Sequence, residues 1–230
     1  MSLADGLTQR VVFHASYWPV LCGLTVGLGF RVGGRKNVPG TGPCLLVANH
    51  QSFLDPWLIG NGSPRWLVYL ARDNLFRNRL FAAAIRAYGA VPIDRGFGKE
   101  GLRMVLNQLE LGRAVVVFAE GERTRDGSLQ PLKPGIALLI KKAECPIVPV
   151  GLAGAFNFWP RHEKLPHPEP LFQEAEGRAI ALVYGERLPT GFYDGIEREP
   201  MLADLSGKIQ VAVDAAERLR RKPPLKNERW

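Results

Sequence analysis

Six short apolar runs set the frame of this chain: CLLVA (44–48), WLVYL (66–70), AVPI (90–93), AVVVF (114–118), PIVPV (146–150) and AIALVY (179–184). None alternates with polar residues, so each reads as a strand buried on both faces, the signature of a sheet covered by helices. Between the runs the spacing turns helical. Leu102, Val105, Leu106 and Leu109 recur on one face and stop at Gly112; Ile136, Leu139 and Ile140 follow Pro134. Leu202, Leu205, Ile209, Val213, Ala216 and Leu219 line a longer helix with Pro200 in its first turn. The alternation predicts an α/β fold, a helix-flanked, largely parallel sheet of about six or seven strands. Residues 155–175 hold four prolines and two histidines without periodicity, and read as a long loop of the kind that is functional or mobile.

The N-terminus differs from the rest. Residues 11–30 contain no Asp, Glu, Lys or Arg. A secretory signal would need a basic start and a small-residue cleavage site, which Asp5 and a single Arg10 do not supply. The stretch just reaches the roughly 20 residues of a spanning helix, but His14, Ser16, Pro19, Thr25 and several glycines interrupt it, and Tyr17 and Trp18 are residues of the membrane–water interface. The expectation is a helical segment lying in that interface, with a buried helix of a soluble domain as the alternative. The predicted organisation is a membrane-associated segment at 1–30, an α/β domain at 31–222 and a basic, Pro-containing tail at 223–230. The chain is expected to be monotopic or peripheral, on the cytoplasmic face. Its formal charge of +8 favours anionic partners, and with no recognisable reading element nucleic acid is not expected. Three scattered cysteines and four histidines form neither a disulfide framework nor a metal-ligand spacing.

In an open α/β sheet ligands bind beyond the carboxyl ends of the strands. Asn49-His50-Gln51-Ser52-Phe53-Leu54-Asp55 follows the first run, Ala71-Arg72 the second, Asp94-Arg95 the third, and Ala119-Glu120-Gly121-Glu122-Arg123 the fourth. A histidine, carboxylates and arginines thus converge on one sheet edge. A neutral imidazole can take a proton from an alcohol when a carboxylate holds its other nitrogen; Asp55 can do so if the chain turns sharply, although Asp55-Pro56 is equally a good helix start. Arg95 and Arg123 fit phosphate oxygens, or else form a surface salt-bridge cluster with the nearby acids Asp94 and Glu122. Glu120-Gly121 offers a turn whose carboxylate can accept from a substrate hydroxyl. Lys133 is either a further phosphate contact or a solvated lysine at a helix start. No Gly-x-Ser-x-Gly elbow, Walker loop or Rossmann glycine fingerprint is present, which disfavours a serine nucleophile and a nucleoside triphosphate.

In order, Asn49-His50-x-Ser52-x-x-Asp55, Gly89-x-x-x-Ile93-Asp94-Arg95, Phe118-x-Glu120-Gly121-x-Arg123 and Val148-Pro149-Val150 resemble the four motif blocks of the glycerolipid acyltransferases, and most nearly the bacterial 1-acylglycerol-3-phosphate acyltransferases. The resemblance spans roughly Arg31 to Val150. It implies that His50 is the general base and Asp55 its partner, and that Arg95, Glu120, Gly121 and Arg123 hold the acceptor. It further implies that acyl-CoA or acyl carrier protein donates a fatty acyl group to lysophosphatidate at a membrane surface, with no metal or bound cofactor. Two positions depart from the third block, which usually reads Phe-Pro-Glu-Gly-Thr-Arg: Ala119 replaces the proline and Glu122 the threonine. A carboxylate at 122 adds repulsion toward a dianion, and so raises the alternative of a lyso-aminolipid acceptor. A non-catalytic lipid-binding protein of the same fold is the other rival.

Overall fold

The computed structural model describes residues 3–93, 98–163, 165–166 and 179–221. Arg95, with Asp94, and the tail at 223–230 lie outside the described residues. Seven strands form one sheet: β1 (Arg31–Gly33), β2 (Cys44–Ala48), β3 (Val68–Arg72), β4 (Ala90–Ile93), β5 (Ala114–Phe118), β6 (Ile147–Ala153) and β7 (Ala181–Tyr184). Their order is β1-β7-β6-β2-β5-β3-β4. All pairs are parallel except β6 with β7. Around the sheet stand α1 (Leu3–Leu28), α2 (Asp55–Gly62), α3 (Arg79–Ala87), α4 (Lys99–Glu110), α5 (Gly135–Lys142), the short α6 (Ala155–Phe158) and α7 (Arg198–Arg220).

The runs at the centre of the sheet behave as expected of doubly covered strands, whereas β4, at its edge, leaves Val91 half-buried and Pro92 exposed. Every residue of β2 and of β6 is buried. Three runs are framed differently from the reading of the sequence, the last of them being a strand only over Ala181–Tyr184. The second strand is displaced by two residues, so Trp66 and Leu67 precede it and Ala71 and Arg72 belong to it. An unbroken apolar run carries no period from which to fix its ends. The strand at 147 continues three residues past Val150, to Ala153, which brings its end level with the loop after β2. α7 runs against β6 and β7 and buries Met201, Leu205, Ile209, Ala212 and Ala216. At Gly151 a Cβ would collide with the backbone of Ala212 and Val213, so the close seating of α7 on β6 requires glycine there.

α1 is one helix across the charge-free stretch, with Pro19 inside it. It docks on α2 and α3: Phe13 is buried edge-to-face on Tyr88 at 5.5 Å, and the hydroxyls of Ser16 and Tyr88 are hydrogen-bonded at 2.9 Å. Its other side leaves Val11, Trp18 and Val26 exposed. No described helix is long and apolar enough to cross a membrane.

Candidate active site

The parallel neighbours β2, β5, β3 and β4 deliver their carboxyl ends to one edge, as the sequence implies. After Ala48 the chain turns through residues 49–54 and enters α2 at Asp55. Asn49 anchors the turn by side-chain bonds to both backbone groups of Leu152, donating to the carbonyl at 3.0 Å and accepting from the N–H at 2.8 Å. The next residue is His50. Its Nδ1 lies 2.7 Å from Oδ2 of Asp55. The same oxygen accepts the backbone N–H groups of Gln51 at 2.5 Å and Ser52 at 2.8 Å. Asp55 therefore begins the helix without capping it: Leu54 occupies the cap position, no side chain caps there, and the carboxylate reaches back into the loop.

This arrangement sets the imidazole's chemistry. With Nδ1–H turned to a carboxylate, Nε2 keeps its lone pair and can accept a proton. The ring is stacked on Phe118, centroids 3.9 Å apart at 18°, and its side chain remains 18% exposed while that of Asp55 is 0% exposed. A buried partner and an accessible ring suit a base. Most loop amides are spent internally, those of Gln51 and Ser52 on Asp55, that of Leu54 on the Ser52 hydroxyl and that of Asp55 on the Ser52 carbonyl.

Glu120 is placed differently from the expectation of a substrate-facing carboxylate. It is 2% exposed, and both oxygens are engaged: Oε1 accepts the His50 N–H at 2.6 Å and Oε2 the Gln130 N–H at 2.9 Å. It ties the histidine loop to the loop after β5, which is tied again by Thr124 N–H donating to the His50 carbonyl at 2.8 Å. Burial pushes its carboxyl up to about 7, against the opposing effect of the two amide bonds. Gly121 adopts φ +72°, and the aliphatic stem of Lys133 covers the space a side chain would take, 3.1 Å from where a Cβ would lie. Lys133 itself is exposed, with its charge acting on Glu122.

Arg123 lies flat over Phe53, its guanidinium carbon 3.3 Å from the ring centroid. Its buried Nη1 has no hydrogen-bond partner among the described residues. Its pKa is lowered first by burial and then by the charges of Arg161 and Arg72, with Asp55 acting in the opposite sense. Glu122 is not a bare carboxylate. It receives Nη1 of Arg161 at 2.6 Å, which holds its pKa down. The repulsion that motivated an amine-bearing acceptor is thereby offset by a neighbouring cation, and that motive is withdrawn. Arg161 and Trp159 were not singled out from the sequence, and Phe53 and Phe118 carried no role there. Arg161 sits in the aperiodic loop, where no spacing marks it.

The described site thus joins a carboxylate-held imidazole to a guanidinium whose buried Nη1 has no hydrogen-bond partner among the described residues. A family model described as Acyltransferase matches residues 29–153, more than half of the 230. The chain belongs to the acyltransferase family. The chain is 30% identical to the chloroplastic 1-acyl-sn-glycerol-3-phosphate acyltransferase of Brassica napus over 55% of its own length and 38% of that protein's. It is 27% identical to the Bacillus subtilis enzyme of the same name over 63% and 75% of the two chains, and 30% identical to that of Streptococcus pneumoniae over 60% and 54%. The matched stretch thus spans from about two fifths to three quarters of these relatives. In fold, the acyltransferase is similar to the crystal structure of the 1-acyl-sn-glycerophosphate acyltransferase PlsC from Thermotoga maritima, with a TM-score of 0.66 at 20% identity over 94% of this chain and 83% of that one.

Glu120 gives this chain a testable pH signature. Its folded pKa of about 7 lies above the ordinary 4.5, so between those values the folded state holds a proton that the unfolded state has released. Stability contributed by this group is fully present below 4.5 and is lost as pH rises to about 7. Glu120→Gln cannot titrate. The difference in Tm between wild type and Glu120→Gln should therefore move against the wild type across that window and stay flat above it; a difference constant from acid to neutral pH would refute the assignment. The amide also turns an N–H toward one of the two backbone donors, so kcat should fall by about 10-fold.

Proposed function

We propose that this chain transfers a fatty acyl group from a thioester donor to the free hydroxyl of 1-acylglycerol-3-phosphate, in phospholipid synthesis. The observation that carries this reading is an imidazole with an accepting Nε2, held through Nδ1 by Asp55 at 2.7 Å, in the same loop as the Phe53 ring that supports Arg123, whose Nη1 has no partner among the described residues. The names of the relatives support the same acceptor.

Nε2 of His50 removes the proton of the acceptor hydroxyl while that oxygen attacks the thioester carbonyl. The C–O bond forms as the carbonyl π pair moves onto oxygen. The tetrahedral oxyanion then collapses, the C–S bond breaks, and the thiolate takes the proton from His50. Asp55 holds the imidazolium through the cycle without accepting its proton. Among the loop amides of residues 51–55, only that of Phe53 has no partner among the described residues, which makes it the candidate donor to the oxyanion. Arg123 binds the acceptor phosphate, as Arg95 does in the reading from sequence. Only the two substrates take part, without metal or bound cofactor, and acyl-CoA and acyl carrier protein both satisfy the chemistry. The exposed Val11, Trp18 and Val26 on α1 support contact with the bilayer interface, on the cytoplasmic face, through residues 1–30.

The test is release of free thiol by the purified chain given lysophosphatidate with acyl-CoA, and separately with acyl carrier protein. Stoichiometric phosphatidate and thiol are expected with at least one donor; neither product with either donor would refute the reading. Arg123→Ala should raise KM for lysophosphatidate by about 10- to 100-fold with a much smaller change in kcat. An unchanged KM would remove Arg123 from the phosphate site.

A further inference from the structure

Arg161 belongs to none of the four motif blocks, yet the fold holds it against the catalytic loop. The chain leaves α6 at Trp159, whose carbonyl accepts the Ser52 hydroxyl at 2.9 Å. The Trp159 ring packs on Phe53 at 5.2 Å, and Phe53 carries Arg123 on its ring. Residues 160–163 close as a turn through Glu163 N–H to the Pro160 carbonyl at 3.3 Å, clasped by the Trp159 indole N–H on the Glu163 carbonyl, also at 3.3 Å. Arg161 stands on that turn. Its Nη1 reaches Glu122 at 2.6 Å and the Arg123 carbonyl at 3.4 Å. Nε and Nη2 have no partner among the described residues.

Charge makes the arrangement informative. Arg72, Arg123 and Arg161 lie close enough that the first and last both act on Arg123. The nearby acids are already committed, Asp55 to His50 and two amides, Glu122 to Arg161 alone. Among the described residues only one of these three guanidinium groups is ion-paired, Arg161 with Glu122, so like-charge repulsion remains, and a bound anion relieves it. An isolated surface ion pair would contribute little, but this one aims a guanidinium, a fork suited to phosphate oxygens, beside another.

We propose that Arg161, held by Glu122, is a second guanidinium ligand for a phosphate monoester entering beside Arg123. Resting on the reading of the preceding subsection, this makes Glu122 a positioning residue for phosphate where the bare sequence suggests a repulsive one. The monoester can come from the acceptor or from the 3′-phosphate of a coenzyme A donor.

The test uses Arg161→Ala, Glu122→Gln and the double variant, with separate KM values for lysophosphatidate, acyl-CoA and acyl-3′-dephospho-CoA, and calorimetric titration with a short-chain, water-soluble lysophosphatidate. Arg161→Ala should raise the KM for one phosphate-bearing substrate by about 10-fold with kcat within about threefold. A rise for lysophosphatidate, matched by a weaker Kd, assigns the acceptor. A rise for acyl-CoA that is absent for the dephospho donor assigns the donor. Glu122→Gln should raise the same KM by about threefold, whereas a repulsive carboxylate would make it fall. Unchanged KM and Kd in Arg161→Ala would overturn the proposal. So would a double variant restored to wild-type values, since Arg161 would then merely mask Glu122. If the wild type shows no turnover but Arg161→Ala still weakens lysophosphatidate binding, the reading of the activity fails while the phosphate site stands.

Discussion

His50→Ala should lower kcat by about 10²- to 10⁴-fold while the protein remains folded. The ring is partly exposed and rests on one face of Phe118, so truncation removes little packing. Asp55 keeps two backbone donors, Gln51 and Ser52, and the loss of the third should cost no more than about 2 kcal/mol of stability. Kinetics separate the role from a general disturbance. KM for lysophosphatidate should stay near its wild-type value, because the phosphate contacts lie on other residues, and free imidazole should restore part of the rate. A correctly folded variant with near-wild-type kcat would sink the general-base assignment.

Asp55→Asn should be nearly as damaging, by about 10³- to 10⁴-fold in kcat, for a different reason. Asp55 Oδ2 receives three donors at once, while Oδ1 is buried with no hydrogen-bond partner among the described residues. Asparagine with its oxygen in the Oδ2 position supplies no charge to hold an imidazolium and buries its NH₂ unsatisfied at the Oδ1 position. Turned the other way it presents the NH₂ to Nδ1, the proton moves to Nε2, and the ring can no longer take one from a hydroxyl. Because a buried charge-assisted cluster is also broken, unfolding free energy should drop by about 2 kcal/mol. The informative pair of measurements is kcat beside a denaturation midpoint. A variant as stable as the wild type and fully active would show that Asp55 serves only to begin α2.

How much of this was legible follows from sequence separation. His50 and Asp55 lie within one loop, and their spacing exposed both the pair and the competing helix-start reading. The convergence of strand ends was legible too, because parallel strands with helical crossovers put their carboxyl ends on one side. The antiparallel β6–β7 pairing was not, since buried strands of either sense are uniformly apolar. α3 escaped notice because Leu80 and Phe81 face solvent, which blurs the expected stripe. Glu120 was recognised as important and given the wrong task. Its oxygens are claimed by backbone N–H groups of residues 50 and 130, and no motif states which way a carboxylate points. The partner of Glu122 was not legible because Arg161 is 39 positions away in a stretch without a pattern.

The fastening of the histidine loop also bears on its motion. On one flank Glu120 and Thr124 hold it to the chain beyond β5; on the other, Asn49, Gln51 and Ser52 tie it to Leu152, Phe156 and Trp159 beyond and within β6. A segment stitched to both neighbours has no cheap opening of its own. The base is released only when adjoining strands part, so its fluctuations belong to the most protected cooperative unit of the sheet. Freedom of movement then falls to the turn at 160–163, which rests on the histidine loop through the Ser52 hydroxyl and the Phe53 ring and on the loop after β5 through an ion pair.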